Sequence, residues 1–226
     1  MYEKNEKNEK KISLYNQYKL IMVATIKDCT SVKNIIKGYY SKDKEKREKI
    51  RKKYGNIEDW DISQVKSLDG AFRGINDREL LDLDLNNWNT SNVENINQIF
   101  CDSNFDGNIS NWDTSNVKSS CLAFKNTIFE GDISNWNLEK LEDSTSMFEN
   151  SIINCDLSRW KLIKIRYMPR MFYCCRKDIG DLGQWTIHIE PKEVSQEDAL
   201  YGTVYHYNPP YWYMPGLWER EVLKNR

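Results

Sequence analysis

The chain has 226 residues, 33 Lys plus Arg against 34 Asp plus Glu, and 39% hydrophobic residues, a share somewhat below the globular norm. Charged residues make up 30%, mean hydropathy is −0.76, and the longest uninterrupted apolar run covers only residues 20–24, far short of the roughly 20 residues of a membrane-spanning helix. A protein built of helical spans is excluded, and the length allows one large domain or two small ones.

The near-neutral total hides a split. Residues 1–56 hold 16 basic and 7 acidic side chains, residues 57–190 hold 13 and 22, and residues 191–226 hold 4 and 5. Such asymmetry points to two functional surfaces, or to a basic cap docked on an acidic body, rather than to one uniformly charged binder. Residues 1–11 alternate Lys, Asn and Glu, and residues 1–18 read as a flexible charged N-terminus. Residues 19–56 read as a basic helical cap: an apolar stretch over 20–26, a helix start at Thr30 and Ser31, an apolar face with Val32, Ile35 and Ile36, and a charged run over 42–53 that stops at Gly55, a suitable C-cap.

A repeat follows over 57–190. Trp stands at 60, 88, 112, 136, 160 and 185, and Phe stands 12 residues after each of the first five, at 72, 100, 124, 148 and 172. Aliphatic columns accompany them: Ile57, Leu85, Ile109, Ile133, Leu157 and Leu182 before the Trp, and Val65, Val93, Val117, Leu141 and Ile165 after it. Phe105 and Phe129 form a shorter column. A lone turn of about 24 residues cannot bury enough surface to offset the entropy of ordering it, so neighbours in register must complete each face. The predicted fold is a repeat solenoid, mainly β with short helical turns, with five to six turns of about 24 residues and an α-helical N-terminal cap. Trp60, Trp88, Trp112, Trp136, Trp160, Trp185, Phe72, Phe100, Phe124, Phe148 and Phe172 form its expected core. The four extra residues before Trp88, around residues 78–84, are expected to be a surface insertion, and residues 186–190 a final strand.

Beyond Pro191 the chain becomes rich in aromatics. Residues 191–226 are either a C-terminal cap or a docking arm; in the second case Tyr207, Tyr211, Trp212, Tyr213 and Trp218 are the partner-binding candidates.

Little in the chain suggests catalysis. Its two histidines, His188 and His206, lie in no nucleophile motif, and Cys155, Cys174 and Cys175 have no paired metal-ligand spacing. Asp102, Asn104, Asp106 and Asp113 match the spacing of a calcium loop with Asp in the final position, although Gly107, Ile109 and Trp112 within that window are repeat columns. The acidic residues near the Trp columns are better read as turn formers. No cofactor is expected, and the six cysteines show no disulfide framework.

The unit over 131–148, Gly-Asp-Ile-Ser-Asn-Trp-Asn with a following Leu and a Met-Phe pair, together with Lys53-Tyr-Gly-Asn-Ile-Glu-Asp-Trp-Asp61, resembles the BspA-type leucine-rich repeat of mycoplasma surface lipoproteins, also met in protist and giant-virus proteins. The resemblance covers roughly residues 24–190. It implies a curved scaffold that binds other proteins and brings no catalytic residues. No signal peptide is legible at the start of the chain, so the expected location is cytoplasmic or in a virion rather than surface-exposed. The expected function is non-enzymatic protein–protein contact, as a structural or accessory component of a large DNA virus particle. The alternatives are an adhesin-like surface repeat protein and a nucleic-acid adaptor acting through residues 42–53. The partner is expected to be protein rather than nucleic acid, with no membrane span.

Overall fold

A computed structural model describes residue 26, residues 29–187, 194–203, 205 and 209–213. Two helices open it. Helix α1 (Cys29–Tyr39) buries Val32, Ile35, Ile36 and Tyr39, whose three- and four-residue spacing puts them on one face. Helix α2 (Lys44–Tyr54) starts where the Asp43 carboxylate accepts from Lys46 N, and ends at Gly55, whose φ of 69° lets its N–H reach Arg51 O. No residue of α2 is fully buried. Ile50 and Tyr54 pack half-buried against the core, and Gly38 permits the approach, since a Cβ there would lie 2.8 Å from Ile50 Cγ1.

Below the helices the repeats stack in register. Trp60 and Trp88 lie nearly parallel with ring centroids 6.4 Å apart, Trp88 and Trp112 follow at 6.2 Å, and Trp112 and Trp136 at 6.3 Å. Phe72, Phe100, Phe124, Phe148 and Phe172 form a second stack at 5.3 to 5.5 Å. All eleven expected core aromatics are buried.

The backbone corrects the expectation of a mainly β solenoid. Among the described residues there is no β-strand; consecutive repeats meet in isolated parallel bridges, Ser67 with Asn95, Asn95 with Ser119, Ser119 with Asp143, Asp143 with Tyr167 and Tyr167 with Ser195. The cause lies in the next eight residues. Gln98, Leu122, Ser146 and Arg170 have φ between 52° and 59°, and Asp102, Asn126, Asn150 and Cys174 between 55° and 57°. Left-handed residues at this spacing roll the chain into successive turns: Ile99 N bonds Ile96 O, Cys101 N bonds Gln98 O and Ser103 N bonds Phe100 O. The intervening donors all face the following repeat. Ile96, Gln98, Phe100 and Asp102 donate to the carbonyls of Ser119, Cys121, Ala123 and Lys125, and the four-bond pattern recurs from Ser120, Leu122, Phe124 and Asn126 to Asp143, Thr145, Met147 and Glu149. A parallel β ladder needs each strand edge to present donors and acceptors in alternation. Here the edge facing one neighbour carries donors alone, so no strand can propagate past the bridge.

This one-way bonding gives the stack a polarity. The carbonyls of these eight-residue segments point toward the N-terminal end, while at the bridges Glu94, Lys118 and Glu142 N donate the other way, to Lys66, Glu94 and Lys118 O; the oriented dipoles of the segments favour positive charge at that end. The basic cap stands at that end, with Lys33 Nζ 4.0 Å from Asp69 and 2.6 Å from where a Gly70 Cβ would be.

The extra residues before Trp88 are not merely superficial. They form a 3₁₀ turn, Arg78–Leu80, whose Leu80 is buried, as is Leu83. Glu79 also takes two hydrogen bonds from the Arg51 guanidinium, at 2.7 and 3.1 Å, tying α2 to the first repeat. Thr186, expected in a final strand, pairs with Lys161 in a single bridge; residues 188–190 lie outside the described residues.

Candidate interaction surface

The Trp column is fixed by polar as well as apolar contacts. Each indole N–H reaches the carbonyl of the aliphatic residue three before the preceding Trp: Trp88 to Ile57 at 2.8 Å, Trp112 to Leu85 at 3.0 Å, Trp136 to Ile109 at 3.3 Å, Trp160 to Ile133 at 3.0 Å and Trp185 to Leu157 at 2.7 Å. Trp60 heads the column, and its Nε1 has no partner.

The same geometry decides the place of the tail. Trp212 stacks on Trp185 with centroids 5.3 Å apart and planes 8° from parallel, and its Nε1 donates to Leu182 O at 2.7 Å. It continues the column rather than reaching for a partner. Tyr213 is buried beside it, while Tyr211 is 65% exposed with its hydroxyl on Trp185 O at 3.0 Å. Tyr207 and Trp218 lie outside the described residues. Trp212 sits 27 residues after Trp185, close to the repeat period, and that spacing was the available signal.

The four calcium-loop candidates are not brought together. Asp102 accepts from Asn126 Nδ2 at 2.6 Å, a bond that holds its carboxyl below the usual range. Asp106 accepts from Glu130 N at 2.7 Å, Asp113 from Ser115 N at 3.0 Å, and Asn104 Oδ1 is buried without a partner. Among the described residues no group of three or more His, Cys, Asp or Glu is placed to hold a metal ion. Most corner acids cap turns instead: Asp132 and Asp156 accept from Ser134 N and Ser158 N, both at 2.9 Å, and those backbone bonds lower both carboxyls. Burial pushes the thiols of Cys101, Cys121 and Cys155 up to about 11, so they act as apolar filler.

Outward-facing positions vary from repeat to repeat on this constant frame. Six residues after each of the first five Trp the column reads Lys66, Glu94, Lys118, Glu142 and Arg166, alternating in sign up the stack. Lys118 Nζ lies 2.6 Å from Glu94, and that hydrogen bond lowers the Glu94 carboxyl and raises Lys118. A second group crosses the stack at Glu149, which is 95% buried by side chain and 3.0 Å from both Lys125 Nζ and Arg170 Nη2. Burial would raise its pKa; hydrogen bonds from Ser146 and Lys125 outweigh that and lower it. The alternating column is legible in sequence once charges are read at the repeat period.

Charge is also concentrated in one repeat. Residues 157–177 hold seven Lys and Arg and no acidic residue, against 6 basic and 19 acidic over 57–156. Lys161, Arg170 and Lys177 pair with Glu139, Glu149 and Glu130. Ile163, Lys164, Arg166 and Glu142 line a shallow cavity of about 310 Å³, and the neighbouring Tyr167 is 54% exposed.

Stacked turn-rich repeats with a filled aromatic interior define a repeat protein. The chain belongs to the family described as Mycoplasma protein of unknown function, DUF285, which matches residues 41–152 and 104–196. No curated protein and no solved structure matches it. Among the described residues no helix is long and apolar enough to cross a membrane.

Proposed function

We propose that the chain is a non-enzymatic scaffold for protein–protein contact. The observation that carries this reading is the contrast between a constant interior and a variable exterior. The Trp and Phe stacks fill the inside, while outward columns change residue type and charge from repeat to repeat. Binding surfaces of repeat proteins are made in this way, by side chains varied on a repeated frame. Catalysis would need a nucleophile or acid–base pair gathered in a cleft, and the corner carboxylates are already engaged in capping turns.

Cross-linking of the native protein in extracts of its source, read by mass spectrometry, tests the proposal. Cross-links from another protein to outward residues of 57–187 are expected. A chain that stays free of partners, or that shows turnover abolished by changing an outward residue, overturns it. Membership of a large-virus particle, and kinship with the BspA-type repeats in particular, rest on composition and resemblance; the first is tested by looking for the chain in purified particles.

A further inference from the structure

We propose that the face built by Ile163, Lys164, Arg166 and Tyr167 docks an acidic segment of a protein partner. The inference rests on the scaffold reading and names the chemistry of its partner. Three observations converge on this face. Lys164 and Arg166 are exposed and have no ion pair among the described residues, unlike Lys161, Arg170 and Lys177 in the same repeat. Both line one cavity, which Ile163 makes partly apolar and Glu142 borders. Tyr167, more than half exposed in the bridge column, offers a flat amphipathic ring beside the two cations, a combination enriched at the anchoring points of interfaces.

Charge complementarity selects the occupant. The cationic face is one repeat wide, and the preceding hundred residues carry a balance of −13, from 6 basic and 19 acidic side chains. A nucleic-acid strand needs a track of cations along its backbone, and this track ends against acidic repeats within one turn of the stack. A short peptide segment with two or three carboxylates and one apolar side chain needs no such track. A second copy would have to set its acidic repeats on this face, a head-to-side contact that propagates into filaments instead of closing.

Fluorescence anisotropy at low salt tests the assignment. The probe is a labelled peptide of about ten residues, mostly Asp and Glu with one Leu, measured against the whole chain. Affinity should fall about tenfold or more in K164E/R166E, with a smaller fall in Y167A, and stay unchanged in K44E/K46E on α2. All the altered side chains are exposed, and K164A/R166A serves if the charge reversal disturbs folding. The proposal is overturned if neither double variant weakens the peptide, if the α2 variant does so instead, if an oligothymidylate of equal length binds more tightly, or if sedimentation shows concentration-dependent filaments lost in K164E/R166E. A failure here alongside a cross-linked protein elsewhere on the stack removes this face and leaves the scaffold reading intact.

Discussion

At the scale of single residues the fold depends on a few tight approaches. Gly107 is one: a Cβ there would stand 2.1 Å from Leu83 O and 2.8 Å from Phe105 Cε2. Because the nearer atom is backbone, Gly107→Ala must displace the chain before the second Trp turn. A loss of about 1 to 3 kcal/mol by urea denaturation is expected, and a neutral result would place the two segments farther apart. The buried thiols make a second expectation. With Cys101, Cys121 and Cys155 raised to about 11, chiefly by burial, the folded state favours their protonated forms. Their contribution to stability is complete below the ordinary thiol pKa and is lost as pH rises through about 11. Alkylation of the native protein by iodoacetamide should therefore be slow at these three positions at pH 8 and accelerate only well above it.

The elements explain what could be read from sequence and what could not. Both aromatic stacks were legible because Trp and Phe recur at fixed spacing and nothing else replaces them. The turn backbone was hidden for the opposite reason. One left-handed column reads Gly70, Gln98, Leu122, Ser146, Arg170 and Asp198, residues with no common chemistry, so their shared φ leaves no sequence mark; stacking, not local preference, holds Leu122 or Arg170 there. The other column, Gly74, Asp102, Asn126, Asn150, Cys174 and Gly202, is mostly Gly, Asn and Asp, the residue types that favour turns. Apolar columns mark what is buried, and strands and stacked turns bury the same residues. The tail was read two ways because Trp212 is surrounded by other aromatics. Its stacking and hydrogen bond make it part of the array, so Trp212→Ala should cost about 3 to 5 kcal/mol, comparable with Trp136→Ala. Guanidinium denaturation of the two variants checks this; a small loss for Trp212 alone would mean that the last ring is dispensable.

The whole molecule behaves as a polar stack with a basic cap at its carbonyl end and carboxylates that lock its turns. Asp102, Asp132, Asp156, Asp178 and Glu149 are all held below the usual carboxylate range, Asp132 and Asp156 by bonds within their own turns, Asp102 and Asp178 by Asn126 and Tyr205 further along the chain, and Glu149 by both kinds. The unfolded chain therefore binds these protons more tightly than the folded one. Stability from these groups is present above the ordinary carboxylate pKa and is lost as pH falls below about 4; the urea midpoint should drop steeply over that interval. Amide hydrogen exchange, resolved by residue with NMR, bears most directly on the one-way ladder that makes the frame and on which every outward column depends. Slow exchange is expected at Ile96, Gln98, Phe100 and Asp102, and again at Ser120, Leu122, Phe124 and Asn126, with left-handed chemical shifts at Gln98, Leu122, Asp102 and Asn126. Exchange of these amides within minutes, or extended-strand shifts at those four residues, would contradict the stack of turns described here.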